Sequence, residues 1–217
     1  EIMKTIKKHG MAENTLVIFS SDNGPEVPTS ISMRHDHNHN GARPWRGVKR
    51  DQWEGGHRVP FIARWPGKIK PGSTSVQTIC LTDLMATAAA ITGAKLPNNA
   101  AEDSYNILPA LLGKDTQPIR KYTLHQTISL ALAIRSGQWK YLDHKGSGGN
   151  NYGREGRWGM KQYALPEKSP NAPGQLYNLE NDPGETTNLY FDHPKIVKEL
   201  IGKLEEFKKT GRSAPKQ

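Results

Sequence analysis

The chain has 217 residues, 35% of them hydrophobic, with 21 glycines, 15 prolines and a formal net charge of +9. That length holds one sizeable α/β core, or part of a core with a small second domain, and the composition points to a folded chain rich in loops and excludes a disordered one. The longest apolar runs, residues 16–19 and 86–91, are far too short to span a bilayer, and the lone cysteine, Cys80, excludes an internal disulfide.

Residues 1–9 read as a helix end, with Ile2 and Ile6 on one face and Gly10 as its C-cap. The chain is therefore expected to begin inside a longer protein, and targeting cannot be read from it. Residues 15–19 form a short β-branched apolar run bounded by turn formers, which predicts a strand buried on both faces. It stops at Ser21-Asp22-Asn23-Gly24. Helix, turn and buried strand in that order is the rhythm of a parallel α/β sheet. Residues 26–58 are polar and loop-like and carry His35, His37 and His39. Residues 59–65 predict a second strand, residues 82–92 a helix capped by Thr82 and ended by Gly93, and residues 107–112 a helical turn.

The texture changes after about Pro118. Residues 122–126, 131–135 and 139–142 read as strands of an antiparallel meander, and 175–178 as a further strand. Between them, 146–173 is a long loop rich in Gly, Asn and Pro. Residues 194–209 form an amphipathic helix, with Ile196, Val197, Leu200, Ile201, Leu204 and Phe207 on one face. Pro194 opens it and Gly211 closes it. Two domains are expected, 1–118 and 119–217.

The excess of cations favours anionic partners, nucleic acid or a sulfated sugar among them. The basic residues are scattered, however, and no nucleic-acid motif is present. Asp22 and Asn23 follow a strand of an α/β sheet, where ligands bind. They offer two hard oxygen donors of the kind calcium or magnesium takes. The same Asp-Asn-Gly is also a common turn, in which Asp22 would cap the next element. The alternation of His35, His37 and His39 would suit zinc; a solvated polar loop accounts for it better. Cys80 is expected as a buried core thiol, and Trp139 and Tyr141 as packing residues.

The segment Arg46-Gly47-Val48-Lys49, followed by Trp53-Glu54-Gly55-Gly56-His57-Arg58-Val59-Pro60 and Trp65-Pro66-Gly67-Lys68-Ile69, closely resembles the sulfatase family. The resemblance takes in Ser21-Asp22-Asn23-Gly24 upstream, Thr82-Asp83-Leu84-Met85-Ala86-Thr87, the hairpin around Ala133-Ile134-Arg135 and Trp139-Lys140-Tyr141, and the ending Leu176-Tyr177-Asn178-Leu179, Asp182-Pro183 and Glu185. It runs over nearly the whole chain, with its motifs in order.

It implies an alkaline-phosphatase-like α/β fold: part of a mixed sheet with flanking helices, plus a small C-terminal antiparallel sheet packed by the terminal helix. It implies a sulfuric ester hydrolase of the formylglycine-dependent, calcium-binding arylsulfatase type, acting on a sulfated small molecule or glycan. Asp22 and Asn23 match the family's downstream metal ligands, calcium ahead of magnesium, with Asp22 also close to the nucleophile. Lys49 matches the lysine that contacts the sulfate. His57 stands where the family usually has a small residue, and His57 or one of the loop histidines, His39 among them, is a candidate sugar contact. Glu54 and Arg58 are expected to pair and brace the loop, and Gly55-Gly56 to make a tight turn. The nucleophile, formed from a Cys or Ser in a C/S-x-P/A-x-R setting, is absent from these residues. The chain is accordingly expected to be the C-terminal portion of such an enzyme, inactive alone, and periplasmic or secreted by analogy with bacterial relatives. The alternatives are a phosphatase or phosphodiesterase of the same superfamily, or a non-catalytic polyanion-binding module.

Overall fold

The computed structural model describes residues 1–114 and 117–216. The chain divides into two compact units, each discontinuous in sequence: residues 1–21, 60–121 and 212–217 in the first, residues 22–59 and 122–211 in the second. Residues 22–59, which sequence alone groups with the first domain, lie in the second unit beside the C-terminal sheet.

The first unit opens with helix α1 (Ile2–Lys8), followed by strand β1 (Val17–Ser20) and strand β2 (Phe61–Arg64). The two strands pair antiparallel, with Val17 opposite Arg64 and Phe19 opposite Ile62. This differs from the parallel arrangement and the doubly buried strand expected from the sequence. A two-stranded ribbon cannot cover both of its faces, and Phe19 and Ile62 stand 64% and 61% exposed. Helix α3 (Leu84–Thr92) follows a 3-10 turn at Leu81–Asp83 and ends at Gly93, whose φ of +73° supplies the left-handed C-cap. Thr82 does not cap it. Instead Asp83 accepts from the Cys80 N–H at 2.7 Å and the Tyr105 N–H at 2.9 Å, and pairs with the buried guanidinium of Arg120. Cys80 is half-buried, not a full core residue, with its Sγ 3.2 Å from Arg120 Nη1. Helix α4 (Leu108–Leu111) completes this unit's regular elements.

The second unit holds helix α2 (Val27–His37) and a four-stranded antiparallel sheet in the order β3 (Tyr122–Gln126), β4 (Leu132–Ser136), β5 (Trp139–Leu142), β6 (Gln175–Asn178). Helix α5 (Pro194–Thr210) covers one face: Val197, Leu200 and Leu204 bury against Tyr122, Ile134, Tyr141 and Leu176. The other face is covered as well, by Trp53 against Ala133, Leu142, Tyr177 and Leu179. α2 replaces part of the expected 26–58 loop. Glu26 caps it by accepting from the Val27 N–H at 2.9 Å, Pro28 sits in its first turn, and Asn38 ends it in the left-handed region.

Candidate functional site

Asp22 and Asn23 lie just past the end of β1. The Asp22 carboxylate is exposed and makes no hydrogen bond or ion pair among the described residues. The turn it belongs to is fixed from behind. The Gly24 N–H donates to the Gly56 carbonyl at 2.8 Å, and the Lys49 N–H donates to the Pro25 carbonyl at 2.9 Å. These two bonds bring the Asp22-Asn23 turn, the Lys49 loop and the Glu54–Gly56 turn side by side. The approach requires glycine: a Cβ on Gly24 would overlap the Gly55 carbonyl, and one on Gly55 would lie 2.6 Å from the Arg46 carbonyl oxygen.

The Lys49 loop is stapled by a residue the sequence does not single out. Buried Asp51 accepts from the Val48 N–H at 2.9 Å, from Asn150 Nδ2 at 2.8 Å and from the Tyr152 hydroxyl at 2.6 Å. Asn150 also donates to the Lys49 carbonyl at 2.8 Å. The backbone of Lys49 is thus held at both its N–H and its C=O. Its ammonium is freer. It lies 3.3 Å from Glu26 Oε2, with the side chain 38% exposed, and Arg50 pairs with the same carboxylate at 2.6 Å. The Arg50 hydrogen bond, the Val27 N–H and Lys49 together hold the Glu26 carboxyl down to about 2.

His57 lies elsewhere. It is three-quarters buried, stacked on His125 with ring centroids 3.9 Å apart, and its Nε2 is 3.1 Å from Lys140 Nζ. His39 is exposed just beyond α2. His35 and His37 project from the last turn of α2, not from a loop, and His35 pairs with Asp36 at 2.8 Å. Two residues apart on a helix, they point in different directions. Trp139 packs on His193 and Tyr141 is buried, as expected of core residues. Arg58 donates to Glu54 Oε2 at 3.1 Å and covers the Trp45 ring, so Glu54 and Arg58 do pair.

Behind the turn lies a buried charge cluster. Lys140 is wholly buried, its Nζ 3.0 Å from Glu54 Oε1 and 3.1 Å from Glu185 Oε1. Burial alone would raise the Glu54 carboxyl, but the neighbouring cations, Lys140 foremost and Arg135 with it, pull it below the ordinary range. Glu185 goes the other way, raised to about 7 by burial that Lys140 only partly offsets. Residues of the 144–173 segment line a cavity of about 270 Å³ with Arg46 and Trp53. His35 shares an open groove of about 500 Å³ with Arg157 and Lys161.

The donor set suits a hard cation in kind: an unpartnered carboxylate beside a carboxamide. It falls short in number, since calcium takes about six to eight oxygens. Asp22 and Asn23 therefore fit as part of a calcium site.

Residues 1–94 match the family model described as Sulfatase. The chain is 37% identical over 211 residues to an N-acetylgalactosamine-6-O-sulfatase of Bacteroides thetaiotaomicron, covering 96% of this chain and 39% of that protein. It is 33% identical over 193 residues to Homo sapiens arylsulfatase A, covering 87% of this chain and 36% of that protein. A solved Bacteroides thetaiotaomicron structure, described with the metabolism of multiple glycosaminoglycans, superposes with a TM-score of 0.78 at 34% identity, over 96% of this chain and 42% of that one. The chain thus spans well under half the length of the relatives it matches, and its α/β fold is alkaline-phosphatase-like. By the family match and by these relatives, the chain belongs to the sulfatase family.

Proposed function

We propose that the whole protein of which these residues are part hydrolyses sulfate esters on a sulfated carbohydrate, with a sulfated amino sugar as the first substrate to test. One observation carries this reading. The backbone bonds from Lys49 to Pro25 and from Gly24 to Gly56 set the Asp22-Asn23 turn, the Lys49 loop and the Glu54–Gly56 turn side by side. The first relative's activity on N-acetylgalactosamine 6-O-sulfate supports the choice of sugar.

Asp22 and Asn23 would hold calcium together with ligands from outside these residues. The bound ion would supply positive charge toward the sulfate oxygens and the formylglycine nucleophile, itself contributed from elsewhere in the protein. Lys49 would add its ammonium on the same oxygens, where negative charge grows during transfer. To do so it leaves Glu26, an exposed pair of small worth, while its backbone stays anchored by Pro25 and Asn150. The 217 residues alone are proposed to be inactive. Export to the periplasm or medium belongs to the same proposal and rests on family resemblance; cell fractionation tests it.

The deciding experiment is sulfate release from sulfated N-acetylgalactosamine and from an aryl sulfate by the whole, matured protein, beside an aryl phosphate. Turnover of the sulfate esters that chelator abolishes and calcium restores is expected. Preferential turnover of the phosphate would instead identify a phosphatase of the same superfamily. Salt-sensitive heparin binding without turnover would identify a polyanion-binding module.

A further inference from the structure

Lys140 is 0% exposed, Glu54 1% and Glu185 0%, and the ammonium sits within 3.1 Å of both carboxylates. Replacing such a buried ionic cluster by apolar side chains is often neutral or stabilising, so stability alone does not explain it; specifying one arrangement is the better-attested use. The arrangement specified here is that of the two turns and the Lys49 loop. Glu54 begins the turn Glu54–Gly56 and its own N–H donates to Glu185 Oε2 at 2.6 Å. Arg46 Nη1 donates to the Glu185 carbonyl at 2.9 Å, and the Arg46 carbonyl accepts from the Gly55 N–H at 2.7 Å. Gly56 then receives the Gly24 N–H, and Lys49 reaches Pro25. Because a Cβ at Gly24 would overlap the Gly55 carbonyl, there is no slack between the two turns, and a displacement of Glu54 passes directly to Asn23 and Asp22.

The same cluster contains Glu54, His57 and His125 at a spacing that would suit a metal ion. Two of these three ligand atoms already face the Lys140 ammonium, Glu54 Oε1 at 3.0 Å and His57 Nε2 at 3.1 Å. The cation of this centre is built into β5.

We propose that Lys140, clamped between Glu54 and Glu185, is the positioning residue that sets the Asp22-Asn23 turn and the Lys49 loop in register. Its catalytic consequence rests on the sulfatase reading above; its structural consequence does not. The test is Lys140→Met in the whole protein, with two readouts. Amide hydrogen exchange is expected to rise about tenfold or more in residues 22–26 and 46–57, with β3, β4 and α5 unchanged. In parallel, kcat is expected to fall at least about tenfold with little change in KM. A role in general stability would instead loosen the whole second unit and leave turnover per folded molecule intact, and that result overturns the proposal. So does unchanged exchange at both turns. Should Lys140→Met fail to fold, Glu185→Gln loosens the same clamp, because an amide keeps one acceptor oxygen for the Glu54 N–H and loses the charge that faces Lys140, and it is read the same way. Localised loosening in a protein that never turns over sulfate esters removes the catalytic reading and keeps the positioning one. Normal turnover and normal exchange in the variant do the reverse.

Discussion

Lys49 presents two different aspects: a backbone locked at both polar groups and a side chain held only by a half-exposed ion pair. Removing the side chain should therefore spare the fold. Lys49→Ala is expected to leave the thermal midpoint nearly unchanged, within the ~0.5 kcal/mol typical of surface substitutions. Its kcat for sulfate esters should fall by roughly 10²–10³ if the ammonium stabilises the transition state; wild-type turnover would remove it from the site. Glu26 gives the complementary test. Glu26→Gln releases the ammonium from its partner, and KM should fall a few-fold because substrate no longer competes with a carboxylate. A rise in KM would show that Glu26 aims Lys49. At this scale, Asp22, Asn23 and Lys49 stand out in the sequence as candidates because each sits in a short, chemically specific motif. Lys140, Glu185 and Asp51 do not, because their importance comes from partners far away in sequence.

Among the elements, the glycines make the sharpest prediction. Gly55 has the Arg46 carbonyl where a Cβ would go, so Gly55→Ala must push the Glu54–Gly56 turn off Arg46 and Gly24. A drop in stability of about 1–3 kcal/mol is expected, the usual cost of overpacking, measured by denaturant unfolding. A neutral outcome would mean that the three turns are not tightly meshed. On α5, Leu200→Ala opens a cavity beneath a fully covered side chain and should cost about 2–5 kcal/mol. That helix and strands β3, β5 and β6 were readable because apolar periodicity and turn residues agree there. α2 was not, because only Ser30 and Ile31 on it are buried. With so narrow an apolar stripe there is no 3.6-residue signal, and the helix rests instead on the Glu26 cap, Pro28 and the packing of Ile31 on Val48 and Met160. The orientation of β1 was misjudged because a short apolar run carries no information about its partner's direction.

For the whole molecule, the sheet of the second unit is covered on both faces, and this puts a charged cluster where water cannot reach it. Sequence shows Lys140 between Trp139 and Tyr141 but not that the face opposite α5 is also sealed. The consequence is a pH dependence whose sign can be worked out. Burial and the neighbouring Lys140 lower the His57 imidazole to about 3, and burial and His57 lower His125 well below its usual range. The unfolded chain protonates both below about 6.5, the folded chain does not, so their contribution is present above that pH and lost on acidification. His57 keeps 24% of its side chain exposed, so its share is the smaller. Glu185, raised to about 7, acts in the opposite sense: its contribution is present at low pH and lost as pH rises through its folded value. Two histidines oppose one carboxylate, so the thermal midpoint should fall between about pH 6.5 and about pH 5. Replacing His57 and His125 together by Gln should flatten that fall, whereas Glu185→Gln should steepen it by removing the opposing proton. A wild-type midpoint that climbs on acidification across this range would mean that the imidazoles are charged in the fold. Lys140 could not then remain an ammonium beside them.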